Sequence, residues 1–92
     1  MRPAAPRTTV AIMATWVLAH AHEAVSCEIA YAAWSGYDSP LRRRSAIASC
    51  ASGGHRIFWV VEAVDRDAAL AQLPDWLAAR TLVTEVSEVA IP

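Results

Sequence analysis

The sequence predicts an α+β domain with elements in the order β-α-β-β-α-β and a four-stranded antiparallel sheet. Three observations predict it. The run Arg56-Ile57-Phe58-Trp59-Val60-Val61-Glu62-Ala63 is dense in β-branched and aromatic residues, as strands are. It follows Ser52-Gly53-Gly54, where paired glycines supply the positive φ of a hairpin turn. On either side of this hairpin lies an alanine-rich segment of strong helix formers, and Asp65 stands at the N-cap of the second.

In chain order, residues 1–7 hold Pro3 and Pro6 and read as a loose arm, leaving 8–92 as one domain. Thr8 to Leu18 is a first strand, rich in Thr, Val, Ile and Trp. His22 to Trp34 is a helix with two apolar stripes, Val25/Ile29/Ala33 and Cys27/Tyr31/Trp34, which predicts contact with two surfaces. Ser35-Gly36 ends it, and turn chemistry continues to Pro40. Arg44 to Ala51 is a short second strand. Arg56 to Ala63 is the third, apolar on both faces, so helices should cover one face and another subunit the other. The second helix runs from Arg66 to about Ala79 on Leu70, Leu73 and Leu77, with Pro74 kinking or splitting it. Thr81 to Ile91 closes the sheet, where Glu85 and Glu88 discourage edge-to-edge pairing.

The composition excludes several classes of function. A chain of 92 residues that is 55% hydrophobic is too apolar for disorder, yet much of that content is alanine, so a partner covering one face would help stabilise it. A net charge of −1 creates no field for nucleic acid or an anionic membrane. Arg42-Arg43-Arg44 is the one charge run, read as a solvated loop or as an anion clamp. Arg2 and Arg7 precede an apolar run, and Ala19-His20-Ala21 has the form of a signal-peptide cleavage site. Thr15, Trp16 and the prolines break that pattern, and the strand reading is preferred. Cys27 and Cys50 make no disulfide framework and read as free thiols of a cytoplasmic protein.

The segment from Ile57 to Ala63 leading into an Asp-capped helix resembles the dimeric α/β-barrel superfamily, whose subunits have a ferredoxin-like fold. Ala69-Leu70-Ala71-Gln72-Leu73-Pro74, followed by Thr84-Glu85-Val86 and Val89-Ala90-Ile91-Pro92, is similar to the second helix and last strand of muconolactone-isomerase-like members. The likeness covers roughly the last forty residues and implies fold more than activity. It implies a homodimer binding a small molecule, in a superfamily of isomerases, cofactor-free oxygenases, haem-degrading enzymes and cyclases, and it assigns no catalytic residue to this chain.

The expected topology gathers His20, His22, Cys50 and His55 at one end of the sheet, with Glu23 and Cys27 on the helix that starts there. Imidazole and thiolate suit a transition metal such as Zn or Cu, and His20, His22, Cys50 and His55 are the candidate ligands, although the spacing matches no known metal signature. Alternatively, His55 or His22 is a general base for an isomerase- or cyclase-type proton transfer, beside a pocket of Trp16, Tyr31, Trp34 and Trp59. Cys50 activated by His55 would make a nucleophile. The same residues equally fit polar loop positions and small core fillers. Beyond catalysis, the sequence admits a metal-binding or regulatory module, or an accessory subunit docking a larger enzyme through Tyr31 and Trp34.

Overall fold

The computed structural model of the protein describes residues 12–92; the expected arm, and the part of the first strand before Ile12, lie outside them. Strand β1 spans Ala14–Ala21, helix α1 Cys27–Ala32, β2 Ile47–Ala48, β3 Arg56–Ala63, α2 Arg66–Leu70, α3 Asp75–Ala78 and β4 Thr81–Val86; 3-10 turns at Ala24–Ser26 and Cys50–Ser52 precede α1 and β3. The four strands form an antiparallel sheet in the order β2-β3-β1-β4. Thus β1 and β2 run parallel, with β3 between them.

The pleat of β3 sorts its residues: Ile57, Trp59, Val61 and Ala63 are buried, while Arg56, Val60 and Glu62 are exposed. In register with the buried set lie Trp16, Leu18 and His20 of β1, opposite Val61, Trp59 and Ile57. The helices cover this face, with Leu73, Leu77, Ala69 and Ala30 closing the core. Asp65 caps α2 by accepting the Ala68 N–H at 2.7 Å. Pro74, with no N–H to give, divides the second helix into α2 and α3. The opposite sheet face carries Val17, Ala19, Phe58, Val60, Ile47 and Leu82, paired across the strands, with Val60 68% and Leu82 75% exposed.

Four elements differ in extent from their sequence expectation. β1 continues to Ala21 instead of ending at Leu18, because His20 and Ala21 still pair with Ile57 and Arg56. α1 shrinks to six residues, since Glu23 is extended (ψ 157°) and Gly36 turns back at φ 74°. β2 keeps only two residues, cut short by Arg43 in the left-handed region (φ 66°) and by the 3-10 turn at Cys50. β4 stops at Val86. Among the described residues no helix is long and apolar enough to cross a membrane.

Leu77 is fully buried, so Leu77→Ala should cost about 2–5 kcal/mol. Val89→Ala, at an exposed position, should stay within about 0.5 kcal/mol. Urea denaturation of both variants checks this pair.

Candidate metal centre

Two connections meet at one end of the sheet. The first leaves β1 through His22 and reaches Cys27 at the start of α1. The second runs from β2 through Cys50 to His55 at the start of β3. A backbone bond from His22 N–H to the His55 carbonyl, 3.0 Å, carries the β1–β3 pairing one step past the sheet and holds them together.

The second connection is a tight loop. Ser49 and Arg56 are bridged by Ser49 N–H to Arg56 O at 2.8 Å, and Ser49 Oγ accepts the Arg56 N–H at 3.1 Å. Gly53 sits at φ 83°, and a Cβ on Gly54 would stand 2.8 Å from Ser49 Cβ, so the paired glycines are required sterically. His55 itself adopts φ 51°, an uncommon conformation for a residue with a Cβ. The surrounding bonds hold it there.

His22, Cys27, Cys50 and His55 each offer one ligand atom, and these atoms all lie within 4.8 Å of one another. Cys27 Sγ is 3.2 Å from His55 Nδ1, and Cys50 Sγ is 3.9 Å from His22 Nε2. A tetrahedral Zn²⁺ with bonds of about 2.3 Å to sulfur and about 2.0 Å to nitrogen separates its ligand atoms by roughly 3.3–3.8 Å. Small side-chain rotations therefore suffice to close this set on one ion. All four residues are half-buried.

His20 lies behind the cluster, 1% exposed. Its Nδ1 is 3.3 Å from the Leu77 carbonyl, which can only accept, so Nδ1 carries the proton and donates. Nε2 of the neutral ring is then an acceptor, 3.0 Å from Nδ1 of His22. His22 must therefore be protonated at Nδ1, which leaves the lone pair of its Nε2 facing Cys50. Thr81 Oγ1 donates to the same Leu77 carbonyl at 2.6 Å. Burial lowers the pKa of His20 against the raising effect of the Leu77 bond, and the charges of His22 and Arg80 add to the lowering. Burial, then the charge of His55, lowers that of His22. Both rings are thus neutral at physiological pH, as ligation and the tautomer chain require.

Of the residues singled out in the sequence, His22, Cys50 and His55 stand in the four-residue group, and His20 stands one hydrogen bond behind it. Cys27 takes the fourth place. The signal for it was the matched spacing His22-x4-Cys27 and Cys50-x4-His55, two mirrored pairs. Tyr31, Trp34 and Trp59 line a separate cavity that includes neither His22 nor His55. Trp16 lies elsewhere, donating Nε1–H to the Ala63 carbonyl at 3.1 Å. His22 borders a polar cleft with Glu23, Trp76 and Arg80, whose guanidinium lies 4.0 Å over the Trp76 ring.

Comparison of the chain with protein-family models, with curated proteins and with solved structures gives no match.

The lowered His20 and His22 values fix a sign. The unfolded chain takes up these protons near the ordinary value of 6.5, the folded chain only at lower pH. Between the two the unfolded state binds more protons, so the stability these two histidines contribute to the metal-free protein is fully present above 6.5 and is lost as the pH falls through the folded-state values. Urea midpoints measured from about pH 7.5 down to 5 should fall, and His20→Gln should flatten the slope.

Proposed function

We propose that the protein is a metal-binding module whose His22, Cys27, Cys50 and His55 hold one Zn²⁺ ion. The observation that carries this reading is the convergence of two imidazoles and two thiols, from separate connections, within 4.8 Å. Two nitrogens and two sulfurs are the donor set of a closed tetrahedral zinc site, in which no position is left for substrate. Such a centre ties the β1–α1 and β2–β3 connections together, so metal binding adds directly to folding. This suits a structural or regulatory role. The proton-transfer reading has less support, because the rings of His22 and His55 face the thiols and His20, away from the aromatic cavity. Two neighbouring thiols need a reducing compartment to remain ligands, which supports a cytoplasmic setting.

The strand order β2-β3-β1-β4 supports the ferredoxin-like reading. The exposed apolar sheet face supports pairing of two copies sheet to sheet, as in a dimeric α/β barrel. In sedimentation the protein should be dimeric at micromolar concentration, and Val60→Glu, placing a charge on that face, should make it monomeric. A wild-type monomer overturns the pairing.

For the metal, tag-free protein purified under reducing conditions should carry one zinc per chain by elemental analysis. Cys27→Ser, Cys50→Ser, His22→Ala and His55→Ala should each abolish stoichiometric retention. His20→Leu should keep the four ligands and weaken affinity by about 10–100-fold, the usual effect of losing a group that orients a ligand. Wild-type protein that binds no added zinc overturns the proposal.

A further inference from the structure

The cavity of about 340 Å³ beside α1 is separate from the four-residue cluster. Tyr31, Trp34, Leu41, Ile57 and Trp59 form its walls. Trp34 and Trp59 meet edge to face at a centroid distance of 6.0 Å, which gives a rigid aromatic corner. Tyr37 fixes the following turn by donating its hydroxyl to the Ala71 carbonyl, and Ser39 Oγ donates to the Gln72 carbonyl at 2.6 Å. These bonds tether the segment carrying the arginine run to the helical layer.

The run Arg42-Arg43-Arg44 borders this cavity, and all three residues are exposed, so its open side carries their positive charge. Among the described residues no Asp or Glu lines it. Arg42 donates to the Tyr37 carbonyl at 3.3 Å. Among the described residues the only ion pair is Arg66–Asp67, so Arg43 and Arg44 pair with no carboxylate there. Arg43 holds φ 66°, a left-handed conformation uncommon outside glycine, at the turn that brings the run against the walls. An apolar chamber with a cationic mouth and no neutralising acid complements an amphipathic anion: the planar group enters and the carboxylate meets the guanidinium forks.

We propose that this cavity binds a small aryl carboxylate of one or two rings. The volume lies at the lower end of the range for small-molecule pockets, which suits a ligand of this size. The site uses none of the four cluster residues and stands whether or not zinc binds there.

The test is a titration of isotopically labelled full-length protein with 2-naphthoate, and in parallel with 2-naphthalenemethanol, which has the same ring system and no charge. The carboxylate should shift the indole signals of Trp34 and Trp59 and leave that of Trp16 in place. It should bind at least about tenfold more tightly than the alcohol, and added salt should narrow the difference. Arg43→Gln/Arg44→Gln should remove that preference with an unchanged thermal midpoint, both side chains being exposed. Trp34→Ala should weaken both ligands alike. Equal affinity for the two ligands, an undiminished preference in the double variant, or no shifts at millimolar naphthoate would overturn the proposal.

Discussion

The hydrogen bond from His22 N–H to the His55 carbonyl is the last rung of the β1–β3 ladder, and the chemistry at this end of the molecule depends on it. It continues the register in which Ala21 faces Arg56 and His20 faces Ile57. That register places His22 and Cys27 on one connection opposite Cys50 and His55 on the other. A slip of one residue would turn Leu18 and His20 to the opposite face of the sheet and separate the two pairs. The buried alternation of Ile57, Trp59 and Val61 against Leu18 resists such a slip, so the core that stabilises the sheet also aligns the candidate ligands.

His20 links that core to the cluster. Its ring is held by the Leu77 carbonyl at the end of α3, and through this one contact the second helical segment sets the protonation pattern of His22. A buried neutral histidine is stable here because both ring nitrogens have partners. The cluster gives this small fold something its composition lacks. The fully buried core depends on Leu18, Leu73 and Leu77 with several alanines, a modest apolar volume for a short chain. An ion joining the two connections would close long loops of the unfolded chain and add stability where helix cover is thin.

The α+β class with its antiparallel sheet, the third strand, the Asp65 cap and the break at Pro74 were legible because each rests on local chemistry: β-branched density, a side-chain acceptor, a missing donor. The extent of the second strand was not, since Ile47–Ala48 alone pair and Cys50 folds into a 3-10 turn that a propensity reading does not detect. The meeting of histidines and cysteines at one sheet edge followed from topology. The distinction between His20 and Cys27 did not, because it turns on where β1 ends. With β1 running to Ala21, the pleat directs His20 into the core, and the short 3-10 turn after Glu23 brings Cys27 round to the cluster. Likewise the arginine run reads in sequence as a solvated loop or an anion clamp, and only the fold shows the aromatic cavity beside it.

The four-ligand centre is tested most sharply by the X-ray absorption spectrum at the zinc edge of the purified, zinc-loaded protein. A centre built on His22, Cys27, Cys50 and His55 gives a four-coordinate shell of two sulfurs at about 2.3 Å and two imidazole nitrogens at about 2.0 Å. A shell with one sulfur or none, or one completed by water oxygens, would contradict it.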